Sequence, residues 1–101
     1  MKLVYPACFY PHESNNGYTV VVPDLPGCTT EGDNMVQAIE MAVDAASGWI
    51  LDELEDGNEI PIPASFAETT INNADSIICL IVLDIERYAE KYGKNMISLN
   101  S

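Results

Sequence analysis

The sequence predicts an α+β fold: a small antiparallel-rich sheet with one long helix packed on one face, in the order β-β-β-α-β-α. Three observations carry this. Short stretches rich in aromatic and β-branched residues come first, separated by turn residues. A long segment of helical periodicity follows between Asn34 and Gly57, and the apolar run Ile77–Leu83 stands apart near the end. At 101 residues the chain is one domain with room for a single core. Its expected extent is 1–93, with 94–101 as a tail.

Leu3–Tyr10 reads as the first strand, with Leu3, Tyr5, Ala7 and Phe9 on one face. Pro6 cannot donate to a ladder, so its position is expected at an edge or a bulge. Pro11–Gly17 is a turn cluster whose Asn16-Gly17 step suggests a hairpin into Tyr18–Val22. Pro23 and Pro26 then fix φ and stop the pairing, Gly27 and Gly32 permit turns, and a short third strand is expected around Cys28–Glu31.

The main helix is expected to begin at Asn34, with Gln37 completing a capping box and Asp33 placed where the helix dipole favours an anion. Met35, Ile39, Ala42, Ala46, Trp49, Ile50 and Leu54 recur at helical spacing and are expected to face the sheet. Gly57 is the expected stop. Gly48 inside the helix costs about 1 kcal/mol relative to alanine; it marks either a close approach of another backbone or a tolerated accident. Ile60–Pro63 must be extended, because each proline disfavours the helical region in its predecessor. Ala64–Ser76 reads as a loop. Ile77–Leu83 is expected to be the central strand, buried on both faces. Asp84 caps a brief helix over Ile85–Tyr92 that ends at Gly93, and Asn95–Leu99 is a candidate last strand. The second sheet face, with Val4, Tyr10 and Val21, is only partly polar, so a partner chain could cover it.

Charge narrows the function. Four basic residues against sixteen acidic ones give a net charge of −12, and no Lys or Arg occurs between residues 3 and 86. Such a surface repels nucleic acid and attracts a basic partner, although it also simply favours solubility. Apolar runs are too short to span a bilayer, and no signal-peptide pattern is present, so a cytoplasmic protein is expected. Cys8, Cys28 and Cys79 are odd in number and widely spaced, which argues for buried apolar residues over a disulfide framework or a zinc site. No cofactor is expected.

The segment Pro23-Asp24-Leu25-Pro26-Gly27-Cys28, together with Gly17-Tyr18, the Gly32-Asp33 helix entry, Ala38, Ala42 and Ala45, and Ile60-Pro61-Ile62-Pro63, resembles the HicB-like antitoxins of type II toxin–antitoxin systems. The resemblance covers most of the chain, from Tyr5 to Asp84. It implies a partial RNase H-like fold and a non-enzymatic role: binding and occluding a small basic HicA-like mRNA interferase. Family members normally continue into a DNA-binding module. This chain stops at Ser101, and 94–101 looks like the lead-in to that module, so DNA binding is not expected here. Gly17, Tyr18, Pro23, Pro26, Gly27 and Gly32 are the motif's structural residues.

Glu13, Asp24, Glu31 and Asp33 are the candidate partner-binding residues, presenting carboxylates to the toxin's Arg and Lys side chains. For Asp24 and Asp33 a purely structural role, in the turn and at the helix dipole, competes with this. Glu40, Asp44, Asp52, Glu53, Glu55 and Asp56 read as a solvated helix face. Two other functions stand beside the antitoxin. One is an orphan domain that self-associates by extending its sheet at exposed strand edges. The other is a metal-dependent nuclease using Asp24, Asp33 and Asp84, disfavoured by the lack of cations to hold phosphate. His12 is expected to be an exposed turn residue, Cys28 no nucleophile, and Trp49 a core anchor with an interface role second.

Overall fold

A computed structural model describes residues 1–93; the expected strand at Asn95–Leu99 and the tail 94–101 lie outside the described residues. The strands β1 (Lys2–Pro11), β2 (Tyr18–Val21), β3 (Thr29–Gly32) and β4 (Ile77–Asp84) form one antiparallel sheet of order β3-β2-β1-β4. The helices are α1 (Met35–Glu55), α2 (Phe66–Asn72) and α3 (Ile85–Lys91). The α+β class and the sheet with one long helix on one face are as expected.

Alternation explains which side of the sheet is buried. Tyr5, Ala7 and Phe9 of β1, Val20 of β2, and Ile81 and Leu83 of β4 all point to the helix side and are buried. Against them α1 lays Ala38, Ala42, Ala46 and Ile50. The alanines let the helix axis come close to the strands, and Ile50 fills the wider space further along. This stripe is rotated from the expected one: Ile39 is 38% exposed, Met35, Trp49 and Leu54 only flank the core, and Ala38, Ser47 and Leu51 are buried instead.

The central strand is β1, not β4. A continuous apolar run is ambiguous between a strand buried on both faces and an edge strand with one apolar face uncovered, and β4 is the second kind. Its partner on one side is β1, in a register running from Lys2↔Asp84 to Phe9↔Ile77. Leu80 and Val82 are each 56% exposed on the open face. Pro6 lies opposite Leu80, in the half of β1 that has no β2 partner, because the β1–β2 ladder begins at Cys8↔Val21. That satisfies the edge expected from its missing N–H.

The segment read as a loop, Ala64–Ser76, contains α2. Ser65 caps it: its hydroxyl accepts the Glu68 N–H at 3.1 Å. Only Thr69 of this helix is buried, so it lacks the apolar stripe that marks a longer helix. The end of α2 shelters the open face at Tyr10, whose hydroxyl is 2.9 Å from Asn73 Oδ1.

Candidate partner-binding surface

The corner at residues 22–28 is built by its own backbone. Leu25 N–H donates to Val22 O, Cys28 N–H to Leu25 O, and Val22 N–H to Cys28 O, at 2.9–3.0 Å. Leu25 is buried beneath it, and Gly27 takes the left-handed conformation, φ 81°, that its position requires. Trp49 ties α1 to this corner by donating its indole N–H to Pro26 O at 3.0 Å. The anchoring role expected of Trp49 is therefore polar at its tip and apolar at its base.

Asp24 does more than stabilise its own turn. Its Oδ2 accepts the Ala64 N–H at 3.2 Å, and Tyr5 donates its hydroxyl to Pro61 O at 2.6 Å. The extended Ile60–Ala64 segment is thus pinned to the sheet at two points. Asp24 and burial together raise the pKa of the Tyr5 phenol, with burial the larger cause.

The helix entry follows the capping-box expectation in one of its two bonds. Asn34 Oδ1 accepts the Gln37 N–H at 2.9 Å, whereas Gln37 Oε1 reaches one residue beyond the cap and accepts the Asp33 N–H at 2.6 Å. Just before it, Gly32 packs so closely on α1 that a Cβ would collide with Ala38 N and Cα, and would stand 2.9 Å from Ala38 Cβ. Only glycine allows β3 to turn into α1 here. Gly48 also marks a close approach, to a side chain and not a backbone: a Cβ would lie 2.8 Å from Tyr88 Oη of α3.

The four candidate carboxylates fall into two places. Glu31 and Asp33 are exposed on and just past β3, and Glu13 is exposed in the turn joining β1 to β2, at the same end of the sheet because Tyr18 pairs with Gly32. Asp24 lies beyond the other end of β2 and is half-buried. The structure does not bring it together with the other three. His12 is not a simple exposed residue: its ring spans the turn, Nδ1 at 3.1 Å from Asn15 Oδ1 and Nε2 at 2.9 Å from Thr19 Oγ1.

Two of the helix carboxylates have more context than a solvated face. Asp44 and Asp52 border a shallow hollow with Gly27, Cys28, Gly48 and Trp49 beside the corner. Asp44 also holds α3, accepting the Tyr92 hydroxyl at 3.1 Å with Lys91 Nζ at 3.9 Å. Their i, i+8 spacing was the available signal, but it needed the position of Trp49 to give it meaning.

The alternative trio Asp24, Asp33 and Asp84 is dispersed. Asp84 is opposite Lys2 and Asp33 lies just past Gly32, level with Pro11, so nearly the length of β1 separates them. That is roughly 30 Å at about 3.3 Å per residue, far beyond the ~4 Å spacing of a two-metal site. Asp84 instead caps α3, accepting the Arg87 N–H at 3.2 Å. Burial raises the pKa of the Cys8 and Cys28 thiols, which leaves them protonated and unreactive at neutral pH. Among the described residues, no helix is long and apolar enough to cross a membrane.

Comparison with known proteins places the chain. The HicB-like antitoxin family of bacterial toxin–antitoxin systems matches over residues 5–101. The chain is 35% identical over 95 residues to a 14.9 kDa protein from the rep-hol intergenic region of Haemophilus phage HP1, covering 91% of this chain and 69% of that protein. It is 32% identical over 79 residues to antitoxin HicB 1 of Photorhabdus laumondii, covering 78% of this chain and 50% of the relative; it thus spans half of that protein's length. Two solved structures share the fold. The toxin–antitoxin complex from Streptococcus pneumoniae superposes with a TM-score of 0.77 at 20% identity, covering 97% of this chain and 93% of that one. The N-terminal domain of Burkholderia pseudomallei antitoxin HicB gives 0.69 at 24% identity, covering 81% and 99%. A family match across nearly the whole sequence, on a sheet and helix arranged as in these structures, shows that the chain belongs to the HicB-like antitoxin family.

Proposed function

We propose that residues 1–93 form a toxin-binding domain that neutralises a small basic, RNA-cleaving toxin by covering it, with no catalysis of its own. The observation that carries this reading is charge placement on the family scaffold: no Lys or Arg between residues 3 and 86, with Glu13, Glu31 and Asp33 exposed at one end of the sheet. A cationic toxin is steered to that end and oriented there by charge-assisted hydrogen bonds. Gly17, Tyr18, Pro23, Pro26, Gly27 and Gly32 serve as the frame that holds these carboxylates, and Asp24 belongs to that frame through Ala64 as well as to the acidic surface. The same charge placement leads us to assign toxin binding, and not operator binding, to these residues.

The test is a salt-graded pull-down of the chain from its native cells, with intact masses of the bound proteins. The expected result is a small basic protein that elutes as salt rises and cleaves RNA only once released. Capture of no such protein at low salt would overturn the reading.

A further inference from the structure

Between residues 3 and 86 the side chain that can gain a positive charge is His12, and the fold puts it at the acidic end of the sheet. The turn is built around its ring. His12 N–H donates to Gly17 O at 2.9 Å, and a Cβ on Gly17 would stand 2.8 Å from both His12 Nδ1 and Asn15 Oδ1. Asn15 Oδ1 accepts the Gly17 N–H at 2.6 Å and lies 3.1 Å from His12 Nδ1, so Nδ1 is a donor there. That fixes the tautomer. The nitrogen that takes up the second proton is Nε2, 2.9 Å from Thr19 Oγ1.

Thr19 suits either charge state, because a hydroxyl both donates and accepts. Beside the neutral ring it donates to Nε2. Once a solvent proton binds Nε2, the ring gains a positive charge, Nε2–H donates to Oγ1, and the proton of the Thr19 hydroxyl turns to another acceptor. Both ring nitrogens keep their partners throughout. The acceptor in place is Glu31: it is directly opposite Thr19, on the same open face of the sheet, exposed and unpaired among the described residues. Such facing residues have Cβ atoms about 4.5–5.5 Å apart.

We propose that His12, acting through Thr19, is a proton-operated control on Glu31: with the ring neutral the carboxylate is free for a toxin's cations, and with the ring charged it is engaged from within the chain, so that capture weakens as pH falls. The consequence for capture rests on the toxin-binding reading of Glu31; the hydrogen-bond reversal does not.

The surroundings offer the charged ring carboxylates and no competing cation. Glu13 lies next to it in the turn, Glu31 on β3, Asp33 just past β3, and Asp75 just before Ile77, which pairs with Phe9. The first turn of α1 holds no acid, and Lys2 is at the far end of β1. Two phenols complete the set. Tyr10, opposite Thr19, donates its hydroxyl to Asn73 Oδ1, and Tyr18 is on the helix side with Val20.

Two measurements on the full chain test this, over a pH range of about 8 to 5.5, where imidazole titrates and an ordinary carboxylate stays ionised. The first needs no toxin. By NMR, the Glu31 carboxyl carbon resonance is expected to step together with the His12 ring. The step is expected to vanish in His12→Gln, which has a neutral polar tip, and in Thr19→Val, which keeps the ring's charge but removes the hydroxyl. A Glu31 signal indifferent to His12, or a step that survives Thr19→Val, overturns the proposal. The second measurement is the affinity of the basic protein recovered by the salt-graded pull-down. The wild-type chain is expected to lose about tenfold more affinity on acidification than His12→Gln does, and Glu31→Gln to abolish that difference. Equal pH dependence of wild type and His12→Gln overturns the proposal. Recovery of no basic protein at either pH counts against the toxin-binding reading, and the NMR step then decides the reversal.

Discussion

The two edges of the sheet are opposites. β3 is four residues long, carries Glu31, and is held against α1 by the Gly32–Ala38 contact. β4 is twice as long, carries no charge before its last residue, and turns Leu80 and Val82 to solvent. The difference shows how one small sheet can give its two edges opposite chemistry. A short, acidic, helix-braced edge is poor at strand pairing but suited to cationic side chains; a long apolar edge is the reverse.

The comparison breaks first at Gly32. Gly32→Ala drives a Cβ into the backbone of Ala38 and is expected to cost about 3 kcal/mol, read as a fall in the denaturant midpoint. A truncation at the other edge, Val82→Ala, is expected to change the stability of the single chain by less than about 0.5 kcal/mol, because the side chain is exposed. Equal losses at both would erase the distinction.

Next comes charge. Replacing Glu13, Glu31 and Asp33 by Gln, Gln and Asn is expected to weaken toxin capture by about tenfold to a hundredfold and to flatten its salt dependence, while leaving the sedimentation of the chain alone unchanged. Adding Asp24→Asn sharpens this. Its further effect on capture separates partner contact from its clasp on Ala64, whose loss alone is expected to lower stability by about 1 kcal/mol in thermal melts.

The smallest effect on stability near neutrality is that of pH. Burial raises the pKa values of Cys8 and Cys28 above the ordinary 9.0, and those of Tyr5 and Tyr88 above the ordinary 10.0, with nearby carboxylates adding to the shift at all but Cys28. A group whose folded pKa is raised contributes stability that is complete below its unfolded value and lost as pH climbs through the folded one. The contribution of these four groups is therefore expected to be flat across neutral pH and to fall above about 9, as melts in a pH series would show.

Much of the architecture is readable from local chemistry. Asn34 and Gln37 announce α1, Asp84 announces α3, and the Pro23–Cys28 corner folds on its own hydrogen bonds. Ser65 and Glu68 carried the same kind of signal for α2, masked by the helix's lack of an apolar stripe. β4 was misplaced for another reason. Hydrophobicity shows that a residue avoids water, not which surface lets it do so, and among the described residues Leu80 and Val82 are each 56% exposed. The candidate site was legible as a set of carboxylates but not as a layout. Sheet register, which the sequence does not display, brings Glu13 to the end of the sheet that holds Glu31 and Asp33 and leaves Asp24 at the other.

That long-range pairing has a kinetic meaning. The N-terminal ammonium meets Glu86, 85 positions away, where β1 and β4 close the sheet. During synthesis at about 5–20 residues per second, β1 must wait roughly 4–17 s for β4 to be made. Through that interval Phe9 has a hairpin neighbour but no second flank, and Tyr5 and Ala7 have no strand partner. The slow step in assembling this sheet is then the arrival of β4, and the nascent chain is most open to misassociation just before that strand arrives.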